Sequence, residues 1–393
     1  MTASSDSAVT SPWSGTPRNL FSLKDAPWRW AAGVQAALAN ALPMVVFYLS
    51  GHLSLGIISS LGSFTVLYGT TMRLRVRVRV LPLVATAFIT ASVLGVLCSG
   101  SAGLMFACVV IVALAASILV LGLGLGPPGP MQFVLVSCVS ARVAAATRVA
   151  APSLNPNLIP VLVAVGALSA YVVVAAPIAL SFGRSDLGNT SAPEPLFDWS
   201  RLDAGKLLIT ARVALAVAAA AIVGLLFRAG HAYWIIIVAG AVLQATWVSR
   251  DSAVRAVHRI LGTLAGVAVF GLIRFFGPRG GWHILVLVIL QFAIELVVAR
   301  HYALALTFIT PTALTIAASA AKASGTLVEE RIVDTILGAL IALVVLLTTN
   351  WYASDTEHQL CATAYPRRLL LGWMPNRMRV RKMLNSFAKT TFQ

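Results

Sequence analysis

The sequence predicts an all-α polytopic membrane protein with about twelve transmembrane helices in two parallel six-helix repeats. Three observations carry this. The chain of 393 residues is 59% hydrophobic and only 11% charged, with a mean hydropathy of +0.88, whereas soluble domains carry roughly 25% charged residues. The apolar residues fall into runs of about 20, the length that crosses a bilayer core as a helix. The runs are apolar all round, where barrel strands would alternate over about 10 residues. A soluble enzyme, a secreted disulfide scaffold and a disordered tail are excluded.

Residues 1–29 are rich in Ser, Thr and Pro and show no basic segment leading into an apolar one. They read as a flexible cytosolic leader, not a cleavable signal peptide. Six apolar segments follow, near 30–50, 53–71, 81–99, 103–122, 131–150 and 158–182, and form the first repeat, 30–182. The fifth is the weakest, because Arg142 and Arg148 shorten it, and a re-entrant segment is the alternative there. A short polar linker, 183–206, leads to the second repeat, 207–350, with segments near 207–227, 232–249, 258–275, 281–299, 302–321 and 332–350. The tail, 351–393, carries seven Lys and Arg between Arg367 and Lys389, interleaved with Leu, Met, Phe and Trp373. A short interfacial helix on anionic lipid is its default reading.

The formal charge is +16, yet Lys and Arg sit in short connectors, as topology signals do, and not on a folded basic face for nucleic acid. With the N-terminus inside and twelve alternating spans, the inside segments hold three times as many Lys and Arg as the outside loops. This predicts an inner-membrane protein with both termini cytosolic. Cys98, Cys108, Cys138 and Cys361 have no metal-ligand spacing, and no Walker motif is present, so neither a metal nor another cofactor is expected. Gly51-His52 closes the first span as Gly230-His231 closes the seventh, and the Arg73–Arg79 connector matches Arg250–Arg259, which suggests the repeat.

The second half has a distinctive order of motifs. Arg212 lies early in a span, and His231-Ala-Tyr233-Trp234 opens the next. Arg259-Ile-Leu-Gly262-Thr263-Leu-Ala-Gly266 and Tyr302-Ala-Leu-Ala-Leu-Thr-Phe308-Ile-Thr310-Pro311 follow, and Arg331-Ile-Val-Asp334-Thr335-Ile-Leu-Gly338 closes it. Over residues 206–350 this order resembles the fusaric acid resistance family of aromatic acid exporters, itself distantly similar to plant aluminium-activated malate transporters. The resemblance implies export of organic, often aromatic, carboxylates across the inner membrane. Many members carry a large soluble domain between the halves. Here only 183–206 stands in its place, which leaves a periplasmic adaptor as an open partner.

Several residues have two readings. Arg212 lies about 8 Å into its span, as a fixed cation for a carboxylate or as a side chain snorkelling to headgroups. Glu295 is the only carboxylate inside a span, with Gln291 one turn away. It is a coupling or gating group, or a structural partner of Arg212 or Arg300. Gln244 and Trp247, with Tyr233 and Trp234, form either a stacking wall for an aromatic acid or, for Tyr233 and Trp234, part of the interfacial aromatic belt. Thr310 and Pro311 break the eleventh span, as at a binding site or as an ordinary membrane proline. Gly262, Gly266 and Gly338 are packing positions, and Arg331 with Asp334, one turn apart, reads as an ion pair.

The resulting expectation is a non-enzymatic secondary transporter for a small organic anion, contacting membrane lipids and no nucleic acid. A homo-oligomer is compatible with it. A passive organic-anion channel and a membrane-embedded enzyme acting on lipid or glycan are the alternatives; the enzyme lacks the clustered acidic residues it would need.

Overall fold

The computed structural model describes residues 26–149, 155–180, 204–227, 233–244, 249–277, 280–320 and 326–364. Among them the chain is helical and without strands, each apolar run containing one helix. The first half holds α1 (Trp30–Leu49), α2 (Leu53–Ser63), α3 (Leu74–Cys98), α4 (Ala102–Gly122), α5 (Met131–Val149) and α6 (Leu158–Leu180). The second holds α7 (Ala204–Leu226), α8 (Tyr233–Leu243), α9 (Ser249–Phe276), α10 (Gly281–Val297), α11 (Tyr302–Ala320) and α12 (Leu327–Ala364). The chain divides into two units, residues 1–347 and 348–393, and the packed bundle is the first.

Seven helices, α1, α3, α4, α6, α7, α9 and α12, are long and apolar enough to cross a membrane. Their outward faces are studded with exposed Leu, Ile and Val, such as Leu97, Ile111, Leu168, Leu215 and Leu340. Such contiguous apolar surface belongs in lipid; this is a multi-pass membrane protein. The polar linker and the tail beyond Ala364 lie largely outside the described residues.

The second segment of each half is shorter than the sequence suggests. α2 and α8 each have 11 residues, about 17 Å of helix, against a core of about 30 Å. For α2 the reason is local. The helix tightens into a 3₁₀ turn, Phe64–Leu67, and Tyr68 is extended. The buried Arg77 side chain then donates to the carbonyls of Val66 and Tyr68, and its third nitrogen to Gln35 Oε1.

That same residue lies in the first basic connector, which is helical. The alternating Arg and Val of 73–80 resemble a strand pattern, but α3 already begins at Leu74. Arg77, Val80, Leu81, Val84 and Phe88 are buried at helical spacing while Arg75 and Arg79 face outward. In the same way Arg255 and Arg259 lie within α9 and not before it.

Small residues set the closest crossings. A Cβ on Gly166 of α6 would overlap the Ser59 carbonyl of α2, and one on Gly62 would overlap Val163. A Cβ on Gly95 of α3 would overlap the Ser137 carbonyl of α5, where Ser92 and Ser140 also hydrogen-bond at 2.8 Å. On α9, a Cβ at Gly262 would fall 2.5 Å from the Ala303 carbonyl, and one at Gly266 2.6 Å from Thr310 Cβ. One on Gly338 of α12 would fall 2.7 Å from Val238 of α8. Helix pairs shifted by six elements therefore pack alike: α3 on α5 and α9 on α11, α2 on α6 and α8 on α12. Between the halves, α1 packs on α10 and α4 on α7.

Candidate functional site: a basic cavity through the bundle

A cavity of about 1610 Å³ lies inside the bundle. Its walls come chiefly from α2, α5, α8 and α11, two pairs of helices again six elements apart. It is lined both by Arg29, just before α1, and by His52, just after it. α1 has 20 residues, about 30 Å of helix, so the cavity extends through most of the bundle. Along α5, Met131, Leu135, Val139, Arg142 and Ala146 line it in succession. This accounts for the weak apolar signal of that segment: α5 is an unbroken helix of 19 residues whose Gln132, Arg142 and Thr147 face the cavity, while Ser140 and Arg148 bond to α3.

The lining is strongly cationic. Arg29, Arg142, Lys206, Arg255, Arg259 and Arg331 contribute to it, and among the described residues Glu295 is its single carboxylate. Glu295 is buried on α10 and lies 3.5 Å from Arg29 Nη1; Arg29 Nη2 also donates to Thr70 Oγ1 at 2.8 Å. The partner of Glu295 is thus the residue before α1, where Arg212 or Arg300 was expected. Arg300 instead stacks over the Trp28 ring at 3.9 Å.

Arg331 has more buried donors without a hydrogen bond than any other described residue. It is 1% exposed, held inward because Arg331, Asp334, Thr335, Gly338 and Ala339 form the buried stripe of α12. Its guanidinium lies 3.9 Å from the centre of the Trp234 ring. Nε, Nη1 and Nη2 are all buried and none has a hydrogen-bond partner. The ion pair expected with Asp334 therefore does not satisfy it. Close by, Arg259 donates to the Tyr302 hydroxyl at 2.8 Å, and Arg255 lies 4.0 Å over the same ring.

Of the residues singled out in the sequence, Tyr233, Gln244, Gln291 and Glu295 line the cavity. Tyr233 packs against Trp234 at 4.8 Å between ring centres. Gln244 Oε1 accepts the Met131 backbone N–H at 3.2 Å, capping the start of α5, so that part of the side chain is structural. Gly129 (φ 85°) passes beneath it: a Cβ there would lie 2.8 Å from the same oxygen. Arg212 is buried on α7 and engaged within the protein, but it is not part of the cavity wall. Thr310 and Pro311 are buried on α11 beside α9; their neighbours Ile309 and Thr312 line the cavity. Trp247 lies outside the described residues. Sequence reasoning gave Arg331, Arg255 and Arg259 no binding role. The stripe of small and polar residues three and four apart after Arg331 was the signal that it faces inward.

A helical membrane bundle enclosing a long, basic, aromatic-lined cavity defines the class of protein at hand. Residues 215–345 match the family described as fusaric acid resistance protein-like, so the resemblance read from the sequence is shown over that stretch. The chain is also similar to YvaC, an uncharacterised membrane protein of Bacillus subtilis (strain 168), at 34% identity over 150 residues. That match covers 37% of this chain and 23% of the relative, so the chain spans under a quarter of the length of the curated relative it matches. No solved structure matches.

Proposed function

We propose that the protein moves small organic anions, aromatic carboxylates in particular, through this cavity and out of the cell. The observation that carries the reading is Arg331: a buried guanidinium with no acceptor, against an indole ring, in the wall of a cavity that runs through the bundle. A buried guanidinium whose donors have no hydrogen-bond acceptor is unfavourable, and a carboxylate offers the bidentate geometry that a guanidinium fits. An aromatic acid would present its ring to Trp234 and Tyr233 as its carboxylate meets Arg331. Arg212, off the cavity wall, is left with a structural role in α7.

The six-element recurrence of helix pairs supports two parallel repeats with the path at their interface. The charge bias of the connectors supports an inner-membrane protein with cytosolic termini. Direction follows from the potential: with the cytosol negative, each negative charge leaving gains about 2.3 kcal/mol per 100 mV.

The test is flux of benzoate-type acids from proteoliposomes with membrane potential and pH gradient imposed separately. Flux driven by potential alone supports an anion uniporter or channel. Flux that needs the proton gradient and is lost in Glu295→Gln supports coupled antiport. No carboxylate flux under either gradient, from folded protein, contradicts the proposal.

A further inference from the structure

The charge around Arg331 exceeds what one carboxylate balances. Arg255 and Arg259 line the same cavity, and Arg259, Tyr233, Tyr302 and Asp334 all lie within electrostatic reach of the Arg331 guanidinium. Nε of Arg255 and Nε of Arg259 are buried without partners, as are all three nitrogens of Arg331. Glu295 offers no relief, being paired with Arg29. Asp334, one turn along α12, offsets one of the three positive charges, which leaves two. Between like charges held in a low-dielectric interior, repulsion is far stronger than in water. An occupant with two negative charges neutralises the cluster; one with a single charge does not. The surrounding surface is aromatic, from Tyr233 and Trp234 on one side to the Tyr302 ring beneath Arg255.

We infer that the ligand class is an aromatic dicarboxylate, with one carboxylate on Arg331 beside Trp234 and the other on Arg259 and Arg255 beside Tyr302. This rests on the anion-transport reading and narrows it. Arg331 and the Arg255–Arg259 pair act as two anchors, and the ligand's ring between them fixes their spacing.

The experiment is direct binding of benzoate, phthalate, isophthalate and terephthalate to the full chain in lipid nanodiscs, by calorimetry. The three isomers serve as rulers for the distance between the anchors. The expected result is that at least one of them binds with 1:1 stoichiometry at least ten-fold more tightly than benzoate. In Arg259→Gln that ratio collapses to within two-fold of unity, and Arg259→Lys, which keeps the charge, retains most of it. The wild-type series stands alone if Arg259→Gln fails to fold. Benzoate binding as tightly as every dicarboxylate, or two benzoates filling the site together, overturns the inference but leaves the transport reading intact. Binding of none of the four, by folded protein, overturns both.

Discussion

The Arg331 guanidinium lies 3.9 Å from the centre of the Trp234 ring, joining the start of α12 to the start of α8 in the cavity wall. The stack holds the cation in place without consuming any of its hydrogen-bond donors, so they remain available to a ligand. Trp234→Leu removes the ring and with it a contribution of about 0.5–2 kcal/mol. The expected outcome is a several-fold loss of carboxylate affinity in a protein that still folds, measured by binding in nanodiscs. Arg331→Lys is expected to lose at least ten-fold, because an ammonium keeps the charge but neither the planar stack nor the bidentate fork.

Arg77 holds the end of α2. Its side chain donates to Val66 and Tyr68 carbonyls and to Gln35, in a buried setting. Arg77→Ala strands those acceptors, each worth about 1–3 kcal/mol when left unsatisfied. A fall in thermal stability of the detergent-solubilised protein is expected, much larger than for Arg75→Ala on the exposed side of the same helix.

Gly166 and Gly271 make a matched pair of tests. A Cβ at Gly166 meets the Ser59 backbone, while one at Gly271 meets nothing within 4 Å. Gly166→Ala is therefore expected to destabilise the α2–α6 crossing by about 1–3 kcal/mol. Gly271→Ala is expected to be neutral or stabilising by up to about 1 kcal/mol, from helix propensity. Unfolding in mixed micelles distinguishes them, and equal effects would contradict the packing described.

The inward face of α5 is expected to be wet. In a background lacking native cysteines, Leu135→Cys, Val139→Cys and Ala146→Cys should react with a membrane-impermeant thiol reagent once it enters the cavity. Ile111→Cys, on the lipid-facing side of α4 with 61% exposure, should not. Protection of the α5 positions by bound carboxylate follows from the same geometry.

Much of this architecture was legible because hydropathy is a strong signal in a chain with 11% charge: every apolar run contains a helix. Length was less legible. The run at 53–71 carries no charged residue, yet the helix stops at Ser63, where the chain tightens into a turn whose Val66 and Tyr68 carbonyls accept from Arg77 on the next helix. The site was half legible. Glu295 and Gln291 stand out as polar residues within a span, and both reach the cavity. Arg212 falls within an expected span and Arg331 at the edge of one, and depth along a helix says nothing about which face each occupies. Only the residues that follow Arg331 at helical spacing mark its face, and the aromatic partner that makes it a site comes from a different helix.

The most direct test compares carboxylate efflux by wild type and Arg331→Gln in proteoliposomes, at one fixed membrane potential and equal amounts of folded protein. The account predicts potential-driven efflux by wild type and a loss of at least ten-fold on substitution. Efflux by Arg331→Gln at the wild-type rate would contradict it, and would remove the buried guanidinium from the path of the anion.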